Sequence, residues 1–427
     1  MHEVGSPTEA NTVLVNGLAR LGWSPDRLAR EINRVCGPGT ISKKAPYHWI
    51  RGVKPRAPLR SVVAVILSEQ LGETIEVGDL WPRSGVRVVW NSADGPSTSW
   101  SGDVVVAAID WLVKPVRRPT PRSEGLPVDP ETVATLGNRV DQLRGLDERG
   151  GGRLVAEWGV HDLKWAQRLA AKGSYDTETA ISLNRVIAEL AQLVGWLCAD
   201  ANQRDNARRY LMIGLGAAAR AGDRALGGFI VSCLSWLCAW SGELDKADHL
   251  IGIARKGSAG LPPSPGLALV ASRQARVHAL RGEPRQCRSR VDEAARLLAV
   301  SVPASVTPWN SWVNDAVLLG DAGRDWLDLG LPAEAERDLS MAIDGLGQTL
   351  PVLRAVHLAS LAEARRRLGR IGDAVDAALD ALALARNHES ARSRSSLARL
   401  HATFAESSGS AAREAVARIG DWLASSG

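Results

Sequence analysis

Apolar residues recur every three to four positions along most of this chain, and almost nothing alternates with the period of two that a strand requires. Val13, Leu14, Leu18 and Leu21 form one stripe, which predicts a first helix over residues 8–21. Ser24-Pro25-Asp26 is a helix start: a side-chain cap, a ring that presets φ, and an acid at the positive helix end. Leu28, Ile32 and Val35 follow at helical spacing, and Gly37-Pro38-Gly39 then forces a turn. Ser42 is placed to cap a second, short helix, with Pro46 in its first turn, Trp49 and Ile50 on its apolar side and Gly52 at its end. A strongly apolar helix follows over 59–71, stopped by Gly72, and residues 75–81 read as a closing turn or helix. Residues 1–82 therefore make one small helical domain, long enough to bury a core around the turn.

The pattern then loosens. Val86 to Trp90 reads as a short strand or part of a helix, Asn91 to Ser101 is turn-rich, and Asp103 to Val113 reads as one helix. Lys114 to Pro127 holds four prolines and four basic residues, which predicts an extended linker, either solvated or touching nucleic acid. Residues 83–128 are thus a connecting segment, and 129–176 hold N-terminal capping helices, one near Leu154 to Ala171.

From residue 177 to 427 the chain repeats itself. A small residue is followed at +4 by a larger apolar or small one and at +7 by another small one. Examples are Ala207/Leu211/Gly214, Ala247/Ile251/Ala254, Cys287/Val291/Ala294, Ala335/Leu339/Ala342 and Ala374/Ala378/Ala381. Successive starts lie 40, 40, 48 and 39 residues apart, and Gly242, Gly282, Gly330 and Gly369 stand five residues before four of them. Such a glycine suits the position just past a helix end, where positive φ is needed. A period near 40 signals a tetratricopeptide-like solenoid, with five helix pairs over 177–386 and a terminal cap ending near Trp422. The fold class is all-α: an N-terminal helix-turn-helix domain followed by a tetratricopeptide-like α-solenoid.

Composition narrows the chemistry. The five cysteines have no zinc-ligand spacing, and four lie in apolar helical context, as in a reduced cytoplasmic protein. The most apolar run, Ala225 to Trp240, is short for a membrane span and is interrupted by Gly227, Gly228, Ser232 and Ser235, so no membrane partner is expected. No phosphate-cradling glycine loop, His-Glu-x-x-His or nucleophile elbow occurs, and the histidines are dispersed. We expect neither an enzyme nor a cofactor or metal.

Charge points elsewhere. Between Arg27 and Arg60 stand nine Lys or Arg against one acid, Glu31, so that window carries +8 while the whole chain carries +5. A field this localised is either a solvated face or the footprint of a phosphate-binding surface. If it reads DNA, the second helix enters the major groove with Ser42, Lys43, Lys44, Tyr47, His48 and Arg51 as candidates. Lys and Arg can address guanine edges, while Ser and Tyr more often bond phosphate. Lys54 and Arg56 beyond that helix, and Arg27 or Arg30 before it, would hold the backbone, and Trp49 would pack inward. A homodimer is expected, because such proteins usually pair half-sites.

Five segments carry a resemblance: Gly22-Trp23-Ser24, Leu28-Ala29-Arg30-x-x-Asn33, Trp49-Ile50-Arg51-Gly52-x-x-Pro55-Arg56, Leu67-Ser68-x-x-Leu71-Gly72 and Asp79-Leu80-Trp81. In that order and spacing the N-terminal region resembles actinobacterial regulators that join a helix-turn-helix to a tetratricopeptide-like array. Some members act as negative regulators of sporulation and antibiotic production, so the resemblance implies a repressor.

Repeat register places Gln192, Trp196, Ser232, Trp236, Arg276 and Arg324 toward the concave face, with Trp196, Trp236 and Arg276 in one column at intervals of 40. Indoles and guanidinia there could hold an acidic or aromatic peptide or protein effector; alternatively the tryptophans wedge between helices. The rival to a regulator is a scaffold that has lost DNA binding and docks a partner through its repeats.

Overall fold

The computed structural model describes residues 11–36, 39–55, 57–71, 75, 80–81, 104–114, 119–149, 152–388, 390–405 and 409–425. The chain divides into two compact units, 1–96 and 97–427.

In the first unit α1 spans Thr12–Arg20, α2 Pro25–Cys36, α3 Ala45–Ile50 and α4 Ala57–Leu71. Asn11 sets the start of α1. Its Oδ1 accepts from Leu14 N at 3.0 Å, its Nδ2 donates to Leu80 O at 2.6 Å, and its own N donates to Ile50 O at 2.8 Å. Ser24 caps α2 as expected, its Oγ accepting from Arg27 N at 3.3 Å. Two expectations need correction. Val35 is 56% exposed, because the last turn of α2 runs past the core, and only Leu28, Ala29 and Ile32 face inward. Ser42 does not cap α3 with its side chain: the helix starts later, after Lys44, and Ser42 contributes its backbone carbonyl to Ala45 N at 3.1 Å. The turn is instead held by Asn33, whose amide donates to Ile41 O at 3.0 Å and accepts from Ile41 N at 2.9 Å. Leu14, Leu28, Ile32, Trp49, Val63, Leu67, Leu80 and Trp81 belong to one core, with Trp49 edge-on to Trp81 at 6.2 Å.

The second unit begins with α5 (Val104–Val113), α6 (Pro130–Glu148) and α7 (Gly152–Lys172). Five antiparallel pairs follow: α8 (Thr177–Asp200) with α9 (Arg204–Ala221), α10 (Arg224–Trp240) with α11 (Leu244–Gly257), α12 (Pro265–Leu280) with α13 (Pro284–Ala299), α14 (Asp315–Asp328) with α15 (Pro332–Leu346), and α16 (Pro351–Arg367) with α17 (Ile371–Asn387). The terminal helices are α18 (Ala391–Phe404) and α19 (Ser410–Ser425). The protein is thus an all-α solenoid of successive helix pairs carrying an N-terminal helical unit. The readings at Val86–Trp90 and Asn91–Ser101 lie outside the described residues.

Small residues explain the packing. Ala207, Ala247, Cys287, Ala335 and Ala374, the first position of each repeat pattern, are all 0% exposed. A Cβ at Gly195 of α8 would stand 2.9 Å from the Leu211 side chain of α9, so these two helices approach as closely as backbone allows. Gly242, Gly282, Gly330 and Gly369 take positive φ of 79°, 71°, 77° and 79°, as their position past a helix end requires. Asn202 fills the same position in the first pair at φ 58°, the residue type that best tolerates it after glycine. Within α8, which has the length and apolarity of a membrane span, 67% of the most apolar stretch is buried inside the unit, as befits a core helix.

From residue 119 on, the Pro-rich segment is extended but not loose. Arg122 and Tyr175 exchange backbone hydrogen bonds at 2.9 and 2.8 Å, and Leu126–Pro127 (β1) pairs in parallel with Gly173–Ser174 (β2). Upstream, α5 lies against α9, α10 and α11. Its anchor is Trp111, whose indole fills the space left by two glycines: a Cβ at Gly227 would come within 2.5 Å of Trp111 Nε1, and one at Gly257 would strike the far edge of the ring. Arg224 stacks on that ring at 5.2 Å and donates from Nη1 to Trp111 O at 2.9 Å. We expect Gly257→Ala to cost about 1–3 kcal/mol in urea denaturation by overpacking this seat. The loss should shrink in a Trp111→Ala background; an equal loss in both backgrounds would remove Trp111 as its cause.

Candidate functional sites: the basic head and the solenoid groove

On α2 the cations follow from the core. With Leu28, Ala29 and Ile32 turned inward, helical geometry puts Arg27, Arg30 and Arg34 on the opposite side, and all three are exposed. Arg27 stacks on Trp23 at 4.9 Å, while the charge of Arg34 is met by Glu31 at 2.7 Å. On α3, burial of Pro46 and Trp49 leaves Lys44, Tyr47, His48 and Arg51 along one outward stripe at i, i+3, i+4 and i+7. Ser42 and Lys43 are exposed in the turn before it, and Lys54 is exposed just after. Arg56 lies outside the described residues. Tyr47 Oη donates to Asp26 Oδ2 at 3.0 Å, tying α3 to the first turn of α2, and that bond holds the phenol above its ordinary pKa. Its hydroxyl is therefore committed to the fold as a donor, with accepting capacity left over.

The second site is a groove in the solenoid. Its wall draws on α6, on the first helix of each pair and on α18, and it holds a cavity of about 140 Å³. What closes it is an ion pair between residues 192 apart: Arg392 of α18 donates from Nε and Nη2 to the two carboxylate oxygens of Asp200 at 2.5 and 2.8 Å. Of the predicted residues, Gln192, Trp196, Trp236, Arg276 and Arg324 reach this groove. Ser232 does not; it is wholly buried, donating to Phe229 O at 2.7 Å and accepting from Arg273 Nη1 at 2.6 Å. Trp196 and Trp236 are partly buried and lie 4.8 Å apart, so they pack on each other and still present an edge to the groove. Gln192 accepts from Arg144 Nη1 at 3.2 Å.

Most of the guanidinia are neutralised in place. Arg144 meets Glu189 at 3.3 Å, Arg276 meets Asp325 at 3.1 Å and also Asp328, and Arg324 meets Asp321 at 3.8 Å. Burial opposes the charge of Arg276, but Asp328 and Asp325 outweigh it and hold its pKa above the ordinary value. Burial and the neighbouring Arg276 pull Arg324 down to about 10. Burial pushes Asp325 up to about 7 although Arg276 pulls the other way, and burial with Asp200 raises Asp147 to about 7. Sequence reading missed Arg144, Arg273, Arg392 and Trp312. Arg144 and Arg392 lie outside the repeats and Trp312 in a loop between them. Arg273 did carry a signal: it is the one charged residue between Leu267 and Ala275, one position after the register counted from Ser232.

Residues 14–80 match the SP15 N-terminal domain family, a span confined to the first unit. Among solved structures the chain is similar to BtubC (BKLC) from P. vanneervenii at 18% identity, over 54% of this chain and 90% of that one, with a TM-score of 0.39. No curated protein matches the chain.

Behind the groove, His357 of α16 is wholly buried against Gly320, and neither ring nitrogen has a hydrogen-bond partner. Burial first, then Arg324 and Arg392, holds its pKa well below the ordinary imidazole value. The unfolded chain therefore binds a proton that the folded one refuses, so this residue's share of stability is present above pH ~6.5 and lost as pH falls below it. We expect His357→Gln to remove up to about 1.4 kcal/mol per pH unit from the acid-side slope of stability. Urea midpoints of both proteins from pH 7 to 5 measure it; parallel slopes would contradict it.

Proposed function

We propose that this protein is a DNA-binding transcriptional regulator whose first unit docks on duplex DNA and whose solenoid groove holds an effector. The observation that carries this reading is the arrangement of cations on the head. Arg27 and Arg30 on α2, and Lys44 and Arg51 with His48 on α3, stand on outward faces because the opposite faces build the core. At six residues α3 is short, so it offers one stripe to a groove, with Lys43 and Ser42 before it and Lys54 after it for phosphates. The helical-repeat architecture suits a regulator or a scaffold. Repression, and a role in development or antibiotic production, follow only from the resemblance in the N-terminal residues. We take the protein to act as a cytoplasmic homodimer, without catalysis, cofactor or membrane partner.

Fluorescence anisotropy of the full-length protein with duplex DNA over a salt series tests the reading. Affinity should fall steeply with salt by counterion release. Lys43→Ala with Lys44→Ala should weaken binding and reduce the log–log slope by about 0.9 for each phosphate no longer neutralised, with the helical circular-dichroism signal intact. Absent or salt-insensitive binding would favour the scaffold.

A further inference from the structure

Arg273 breaks the rule that the other groove arginines follow. It is 6% exposed, and among the described residues no carboxylate pairs with it. Nη1 donates to Ser232 Oγ at 2.6 Å and to Cys233 Sγ at 3.1 Å. Trp196 and Phe229 lie 5.5 and 5.1 Å from the guanidinium carbon and hold the plane by stacking. Position and tilt are thus both fixed. The remaining edge, Nε and Nη2, has no protein acceptor among the described residues and is not sealed from solvent, and Arg273 lines the groove. A buried cation without a counter-charge is costly, and elsewhere in the wall the fold removes that cost with a carboxylate. Here an anion is missing from the protein, and the open edge is the one with which Arg392 grips Asp200.

We propose that the groove binds a compact aromatic monocarboxylate, its two oxygens on Nε and Nη2 of Arg273 and its ring against the exposed edges of Trp196 and Trp236. This deepens the effector site proposed above and rests on that reading of the groove. Size suits a ring: the space of about 140 Å³ beside the two indoles is near the ~150 Å³ that accommodates a benzene ring in an engineered core, and the groove is open beyond it. Charge sets the valence. Five arginines and the carboxylates of Asp147, Glu148, Asp200 and Asp321 line the groove, an excess of one positive charge, and Arg273 is the lining arginine whose edge stays open, so one carboxylate is matched and a phosphate or dicarboxylate fits poorly.

Calorimetric titration of the full-length protein, without DNA, with phenylacetate and indole-3-acetate tests this against their neutral amides. The acids should bind at least about 10-fold more tightly than the amides. Arg273→Gln should reduce the acids to the affinity of the amides, and Arg273→Lys, which keeps the charge but not the two-pronged edge, should fall between. Where Arg273→Gln fails to fold, the acid–amide comparison on the unaltered protein decides. A tripeptide ending in tryptophan with a free carboxyl, binding more tightly than indole-3-acetate and losing that affinity in Arg273→Lys, would support the same chemistry and identify a peptide end as its source. Equal binding of acid and amide, or no binding of any of these probes, overturns the proposal. Salt-dependent DNA binding, measured separately, stays intact in that event if only the ligand assignment is wrong.

Discussion

The solenoid depends on one constraint: at each helix crossing a side chain must be small enough to let two backbones meet. Ala207, Ala247, Cys287, Ala335 and Ala374 meet it with no exposed surface at all. Close crossings fix the relation of the two helices in a pair, and glycine or Asn202 just past the first helix fixes how quickly the chain turns back. Repeating nearly the same step accumulates curvature. After five pairs that curvature has brought α18 to α8, where Arg392 grips Asp200. The groove is a product of that closure, so beside the residues of the repeat register it takes in Arg144, Trp312 and Arg392, which share no local sequence signal with them.

This explains what the sequence disclosed and what it withheld. The repeat period is local chemistry, written as small residues and glycines at fixed offsets, and it placed all five pairs. The column counted in steps of 40, Trp196, Trp236 and Arg276, does line the groove, but which guanidinium there is already paired depends on residues from other helices. Arg276 sits on that column yet is tied to Asp325 and Asp328, while Arg273 one turn earlier borders the cavity without a carboxylate. Ser232 misses the groove and supports Arg273 from behind. Asp200 with Arg392 was illegible, since nothing within 192 residues of chain announces the pairing.

The buried ionic groups of the groove wall contribute little net stability, because desolvation offsets most of their attraction. Their consequence is geometric. Gln192 on Arg144 and Asp325 with Asp328 on Arg276 each hold a long side chain in one orientation. A wall built from flexible arginines thereby becomes preorganised, which lowers the entropy a ligand must remove on binding. Arg273 reaches the same rigidity by stacking and by Ser232, keeping its second edge available.

In the head, polar clamps replace helix length. A six-residue helix has almost no stability of its own, and nucleation alone would leave α3 unformed. Three tethers hold it: Trp49 in the core against Trp81, Ile50 O accepting from Asn11 N, and Tyr47 donating to Asp26. Asp26, expected only to complement the dipole of α2, therefore also fixes the neighbouring helix. Two tethers leave from the inner side of α3 and the third, Tyr47, from the outward stripe itself, so Lys44, His48 and Arg51 are carried outward without taking part in the clamping. That separation of duties allows the outward residues to be chosen for what they meet rather than for what they hold together.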